Sequence, residues 1–296
     1  MKYAWIQQHR DSFPITTMCE VLQVSKSGYY TSLRRQPSPR AQRSARITAS
    51  VQQIHAESHG IYGSLKIARE LQEREDLESA CRKTVARAMR ELGLKSKVTR
   101  RFRPPTTTQS DPTKRPAPNT LEQDFTADAP NRKWVTDITY LPTATGWVYL
   151  AVVLDLFSRK VVGWALRDSL ETELVSDALR GAVEARRPRG EELLHHSDRG
   201  SQYTSEAYQR TLRTLGIACS MSRTGNCYDN AVMERFFWSL KHEWTNHENY
   251  ADLNAARLSV FKYIETFYNS QRLHQTLDYK TPNQYEAEHA SETIAA

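Results

Sequence analysis

The sequence predicts an α/β protein, a sheet of mixed strand directions with flanking helices, preceded by an all-α helix-turn-helix region. Three observations carry this. Apolar residues recur at helical spacing before residue 95 and in strand-like runs after residue 131. A basic, Pro-rich stretch separates the two regimes. Charge divides at the same place: residues 1–120 hold 22 Lys and Arg against 10 Asp and Glu, and residues 121–296 hold 19 against 24. The expected organisation is an N-terminal helix-turn-helix over 1–36, a second helical region over 37–94 and a linker over 95–130. An α/β core over 131–246 and a C-terminal helix and tail over 247–296 follow.

The helices are justified in order. Thr16 to Leu22 is a short helix, and Ser25 is placed to cap a second one running toward Arg34 and Arg35. Pro37-Ser38-Pro39 breaks the chain, and a longer helix runs from Arg40 to about His59. Gly60 to Gly63 is a turn. Ser64 to Arg74 is helical, and a further helix begins near Ser79 or Ala80 and stops at Gly93. In that last helix Val85, Met89 and Leu92 form an apolar stripe, while Arg82, Lys83, Arg87 and Arg90 take other faces. A helix entering a nucleic-acid groove needs such a face, so Lys83, Arg87 and Arg90 are candidate DNA contacts. An ordinary helical bundle with exposed arginines is the competing reading. Lys95 to Arg103 is strongly basic and is followed by five prolines up to Pro118. That linker is expected to stay extended, with Arg101 and Arg103 available to a DNA backbone.

The strands follow after Asn131. Trp134–Leu141 alternates, Pro142–Gly146 turns, and Trp147–Leu154 is apolar enough to be a central strand. Val161–Leu166, Leu193–His196 and Ile217–Met221 complete five strands, with helices expected over Glu171–Ala185, Ser205–Leu215, Ala231–Trp244 and Asp252–Asn269.

Composition excludes several classes. The 296-residue chain has net charge +7 and no run of eighteen apolar residues, so no membrane helix is expected. Its first ten residues do not read as a secretory signal. The four cysteines are scattered and form no Cys-x-x-Cys pair, which suits a reducing cytosol. The basic front half calls for a polyanion. The acidic back half needs local basic positions, or cations bridging its carboxylates to phosphate.

Three carboxylates stand where chemistry would want them. Asp137 lies inside a strand of β-branched and aromatic residues, where a bare carboxylate is costly unless a cation offsets its charge. Asp198 lies just past the fourth strand, the end at which open α/β sheets place ligands. Glu234 opens a helix whose Phe236 and Phe237 are expected to pack on the sheet. Oxygen-only ligands select Mg²⁺ or Mn²⁺, and three carboxylates can hold two such ions for phosphoryl transfer. Asp155, Asp177 and Asp229 are acidic residues of the same region with plausible structural duties. Asp155 is the strongest rival, with Arg159 a candidate partner. Thirty-five residues separate Asp198 from Glu234.

With that spacing, several stretches fall into place: Trp134–Tyr140, His196–Tyr203, Ser222–Glu234, Tyr268–Leu277 with Thr281-Pro282, and upstream Tyr62-Gly63-Ser64. Together they resemble the integrase-core (DDE) transposases, and within them the second-frame (OrfB) product of the bacterial insertion-sequence-three family. The resemblance covers nearly the whole chain. It implies a ribonuclease-H-like fold, with Asp137, Asp198 and Glu234 as a catalytic triad holding two Mg²⁺ (or Mn²⁺). It also implies 3′-end cleavage and strand transfer of element ends. The family carries a basic residue seven places after the glutamate, which here is Lys241. Positions i and i+7 share a helix face, so Lys241 is placed to hold a DNA phosphate. The implied partners are double-stranded element ends and target DNA, a second copy of the chain, and the first-frame (OrfA) protein. The implied compartment is the bacterial cytoplasm, at the nucleoid. The competing readings are a second-frame product acting as a DNA-binding regulator or partial subunit, and a ribonuclease-H-type nuclease.

The remaining candidates divide between roles. Arg199 and Arg223 flank the triad and contact either DNA or a local carboxylate. A zinc site from His55, His59 and Cys81 is rejected for want of a second nearby cysteine. His195 and His196 are expected to alternate between core and surface. Trp238 is read as packing rather than base stacking.

Overall fold

The computed structural model describes residues 1–97, 116–189, 192–223 and 227–295. Three short helices come first: α1 (Lys2–Gln8), α2 (Ile15–Val21) and α3 (Lys26–Arg34). They close on Ile6, Met18, Cys19 and Tyr29. Ser25 caps α3 as expected, accepting from the Gly28 amide at 3.0 Å. Helix α1 was not anticipated. Its apolar residues, Tyr3 to Ile6, are consecutive rather than spaced along one face, and only Ile6 is buried, so there is no helical period to read.

Three further helices form the second unit: α4 (Pro39–Glu57), α5 (Ser64–Glu73) and α6 (Arg82–Glu91). Ser38 caps α4, with Pro39 at its first turn. Ile47, Val51 and Ile54 of α4 meet Ile67, Ala68 and Leu71 of α5 and Val85, Ala88 and Met89 of α6. The unit is seated on the sheet domain. The Tyr62 hydroxyl donates to the Gln271 carbonyl at 2.7 Å and accepts from the Leu273 amide at 2.8 Å. His59 packs edge-on against Trp244 and Phe267.

The sheet has the order β3-β2-β1-β4-β5, from β1 (Lys133–Thr143), β2 (Gly146–Asp155), β3 (Val161–Arg167), β4 (Leu194–Ser197) and β5 (Ala218–Met221). The β1–β2–β3 meander is antiparallel, and β1–β4–β5 run parallel. One face is covered by α7 (Thr172–Arg186) and α8 (Glu206–Thr214), through Leu174, Val175, Ala178, Tyr208 and Leu212. The other is covered by α9 (Ala231–Glu243) and α10 (Leu253–Phe261), through Met233, Phe236, Leu240, Ala256 and Val260. This places Phe236 and Phe237 in the core, as expected. Among the described residues no helix is long and apolar enough to cross a membrane.

Three expectations need revision. The linker was expected to stay extended over 95–130. Residues 98–115, including Arg101 and Arg103, lie outside the described residues. Residues 116–124 are docked on the sheet edge. Leu121 is buried, Ser220 Oγ accepts from the Thr120 and Leu121 amides, and Pro118 accepts from Met221. The edge strand β5 offers unpaired backbone groups, and this segment covers them. The segment 247–296, expected as a helix and tail, is packed into the core rather than appended to it. After α10 the chain makes a π-helical stretch, Lys262–Tyr268, whose Tyr263, Ile264 and Phe267 are buried. A final helix α11 (Pro282–Ala295) is tied down where Glu286 takes Arg186 at 2.8–2.9 Å and Lys160 at 3.2 Å. Lastly, His195 and His196 do not alternate: both are buried, because α8 covers one side of β4 and the 116–124 segment covers the other. His195 Nε2 meets the Tyr208 hydroxyl, and His196 is bracketed by Ser220 and Ser222. Burial drives their pKa values down to about 3 and about 4, so both rings are neutral at pH 7.

Candidate active site

The site forms where the pairing of two parallel strands ends. β1 and β4 pair through Val135↔His196. Asp137 lies two residues beyond that rung on β1, and Asp198 two residues beyond it on β4. A two-residue step along a strand keeps a side chain on the same sheet face, so the Asp137 carboxylate projects toward the side carrying α9, and Asp198 follows directly after the end of β4. Asp137 accepts from the Ile138 amide at 2.8 Å, and Asp198 accepts from the Gly200 amide at 2.9 Å. A side chain at Gly200 would stand 3.1 Å from the Asp198 carboxylate, so glycine lets the chain turn tightly beside it.

Electrostatics show which groups share the site. Burial pushes the Asp137 carboxyl well above the usual range, Asp198 pushes it further, and Glu234 adds to it, while Lys241 pulls the other way. Glu234, in the first turn of α9, is raised as well, by partial loss of water around its carboxyl. Lys241 is lowered by burial and drawn back up by Asp137, and its ammonium lies 4.6 Å from the Tyr140 ring centre. Asp137 on β1 is thus within electrostatic reach of Asp198 past the end of β4 and of Glu234 and Lys241 on α9, all four named from the sequence. Tyr140 was missed, since nothing in a strand of aromatic residues singles out the one that a lysine will cover.

The chemistry of the donors suits a hard divalent cation. All three are carboxylate oxygens, and the raised Asp137 is a charge that a cation would relieve. Among the described residues, however, no three His, Cys, Asp or Glu side chains stand close enough to form a ready-made metal group. Glu234 stays exposed on α9 while the two aspartates are half-buried.

The rival and flanking residues have structural duties. Asp155 is fully buried and accepts from the Asn131 and Phe157 amides and the Trp134 indole. Arg159 does not pair with it. Arg159 donates to the Phe125 carbonyl, and the ion pair of Asp155 is with Arg186 at 3.8 Å. The backbone of Arg159 turns left-handed, φ 58°, and the side chain leaves with it. Arg223 forks onto the local carboxylate of Asp229 with contacts at 3.0 and 3.1 Å. Arg199 donates to the Ser222 carbonyl at 2.6 Å. Lys83, Arg87 and Arg90 are exposed on α6, far along the chain from the carboxylates, with Arg87 3.9 Å from Glu91. Trp238 stacks on His242 and carries the Arg235 guanidinium 4.4 Å from its ring centre, so it packs along α9.

Comparison with known proteins agrees with this architecture. Residues 127–227 and 215–282 match two models of the integrase core domain, and residues 42–102 match an HTH-like domain. The fold and site therefore define an integrase-core enzyme of the polynucleotidyl transferase class, carrying a helix-turn-helix-like unit in front of its sheet. The chain is 40% identical over 289 residues to the transposase InsF of insertion sequence IS3A of Escherichia coli K12, covering 97% of this chain and 98% of that one. It is also 40% identical over 265 residues to a 31 kDa uncharacterized protein of insertion element IS600 of Shigella sonnei, covering 90% and 96% respectively. Among solved structures, the catalytic core domain of HTLV-2 integrase in complex with magnesium aligns at 19% identity and TM-score 0.42, covering 54% of this chain and 99% of that chain. The chain belongs to the IS3 family of transposases.

Proposed function

We propose that this transposase cuts and joins DNA with Asp137, Asp198 and Glu234 as its catalytic residues. They would hold two divalent cations, Mg²⁺ or Mn²⁺, with Lys241 holding a phosphate beside them. One observation carries the reading: Asp137 feels both Asp198 and Glu234, although they come from three separate stretches of chain. Carboxylates are assembled in this way where a cation is to be bound.

The reaction is two in-line displacements at phosphorus. Water attacks the phosphodiester at an element end, the P–O3′ bond breaks, and a 3′-OH is released. The oxygen of that 3′-OH then attacks a target phosphodiester, forming a new P–O3′ bond as the old one breaks. The attacking hydroxyl loses its proton and the departing 3′ oxygen gains one. Bound divalent cations supply charge for the attacking and leaving oxygens. The carboxylates would hold those cations beside the reacting phosphate, and the Lys241 ammonium would hold one of its non-bridging oxygens. The exposed face of α6, with Lys83, Arg87 and Arg90, holds the duplex further out, and Arg101 and Arg103 of the basic linker sequence are further DNA contacts in this reading. Arg199 borders the site within reach of the same strand, and Arg223 acts through Asp229. Two ends must be held together for joining, which calls for at least a dimer, with the first-frame (OrfA) protein as a further partner. The reaction belongs in the bacterial cytoplasm, on nucleoid DNA.

The test uses a labelled duplex bearing an element end with a free 3′-OH, a plasmid target and Mg²⁺, with and without the OrfA protein. Joined product is expected from the native chain and none from Glu234→Gln, which should still bind the duplex. Full joining by Glu234→Gln overturns the assignment. Binding without joining in all cases favours the regulatory or partial-subunit reading, and cleavage of an RNA–DNA hybrid favours the nuclease.

A further inference from the structure

Two adjacent side chains just before α9 tie the start of that helix to two different parts of the molecule. Asp229 and Asn230 lie in the 3₁₀ turn Cys227–Asn230. The Asp229 carboxylate is wholly buried. One of its oxygens accepts from Asn119 Nδ2 at 2.9 Å, from the Arg223 amide at 2.8 Å and from Arg223 Nε at 3.1 Å. The other accepts from Gln123 Nε2 at 2.9 Å and Arg223 Nη2 at 3.0 Å. With these donors, Arg223 foremost, the carboxyl is held well below the usual range. Asn230 is 6% exposed. Its Nδ2 donates to the Thr136 carbonyl at 3.3 Å, and among the described residues its Oδ1 has no hydrogen-bond partner.

The places of attachment matter. Thr136 immediately precedes Asp137, and its carbonyl lies one residue past the last recorded β1–β4 rung. Asn230 therefore fastens the helix that carries Glu234 to the strand that carries Asp137, at the point where the sheet opens. Asn119 and Gln123 belong to the docked segment that leads in from the helical units. Glu234 stands one helical turn beyond Asn230, and it does not yet form a ready-made metal group with the two aspartates. Reactive groups must be held to within about half an ångström of their working geometry, so the anchoring of this turn is decisive.

We propose that Asp229 and Asn230 are positioning residues that set where Glu234 stands relative to Asp137 and Asp198. The docked segment 116–124 is the third member of the same latch. The inference rests on the reading of the three carboxylates as the cation-holding set.

The test is Mn²⁺ binding to the full chain, read by the electron paramagnetic resonance of free Mn²⁺, beside thermal melting, duplex binding and joining as a function of metal concentration. Asn230→Ala should raise the half-saturating Mn²⁺ concentration about tenfold, with duplex affinity unchanged and joining restored at saturating metal. Asn119→Ala, at a less buried position, should shift it about threefold in the same direction. Asp137→Asn and Glu234→Gln are the controls. If they bind Mn²⁺ as the native chain does, the reading of the carboxylates fails. If they lose it while Asn230→Ala and Asn119→Ala keep native half-saturation, the latch is refuted, and a lowered melting temperature in those variants then marks a structural role alone. Should Asn230→Ala not fold, Asn119→Ala decides.

Discussion

Removing the Arg272 guanidinium should cost about 3–5 kcal/mol of stability. Arg272 lies in the loop after the π-helical stretch and forks onto Glu243 near the end of α9, with Nε–Oε2 at 2.7 Å and Nη2–Oε1 at 2.6 Å. The side chains are 10% and 4% exposed. Arg272 also reaches Ser239 Oγ at 3.3 Å, one turn earlier on the same helix. In Arg272→Ala the Glu243 carboxylate stays buried with the Tyr263 hydroxyl, at 3.2 Å, in place of a full counter-charge. Nearby Lys66 offsets part of the loss, which favours the lower end of the range. Replacing both partners with apolar residues, as in Arg272→Met with Glu243→Leu, should recover most of it, since no charge is then stranded. Urea denaturation of the three proteins measures this directly. The pH sign follows from Glu243. Burial pushes its carboxyl up, but Arg272 more than reverses this and holds it below the usual value. A carboxyl depressed in the folded state contributes stability above its unfolded pKa and loses it as pH falls through the folded one. The gap between Arg272→Ala and the native chain should therefore narrow as pH falls, beginning above about pH 4 because burial alone raises Glu243 in the variant. A single-variant loss under about 1 kcal/mol, the scale of an exposed ion pair, would refute the reasoning.

Two further outcomes follow. Asp137→Asn should stabilise the metal-free protein at pH 7 by about 1–2 kcal/mol, the scale of one pKa unit of disfavoured charge, since desolvation and the neighbouring carboxylates disfavour its ionised form. The Asp137 carboxyl is raised in the folded state, so its contribution is present below the unfolded pKa and is lost as pH rises through the folded value. In calorimetry with EDTA the variant should melt above the native chain, and Mg²⁺ should raise the native melting temperature more than the variant's. A variant melting at or below the native chain in EDTA would contradict this. Gly163→Ala should destabilise by about 1–3 kcal/mol through overpacking. Its Cβ would stand 2.4 Å from the Ala178 carbonyl and 2.7 Å from Ala182, where α7 presses on β3. Urea midpoints unchanged by the substitution would show that α7 can move away freely.

Much was legible in the sequence because it is written in local periodicity. The alternation in Trp134–Leu141 gives β1, and with it the face on which Asp137 stands. The stripe of Val85 and Met89 gives the buried side of α6, leaving Lys83, Arg87 and Arg90 outside. Ser25 and Ser38 mark helix starts through bonds made within three residues. The carboxylates could be picked out because a strand, a strand end and a helix start each leave a local signature.

What the tertiary structure alone decided is pairing across long separations. Sequence gives no sign that Arg159 turns away from Asp155 while Arg186 approaches it, nor that Arg272 forks onto Glu243. It does not reveal that Asn119, Gln123 and Arg223 converge on Asp229, or that Glu286 fastens α11 to α7. A charged residue carries the same local pattern whether its partner is four residues away or a hundred. The partner is chosen only when packing removes water and leaves a buried charge with one side chain able to answer it. The sequence by itself determined the elements, their faces and the types of donor at the site. The fold decided which charges are neutralised internally and which, like Asp137 where the pairing of β1 with β4 ends, are left raised and facing α9.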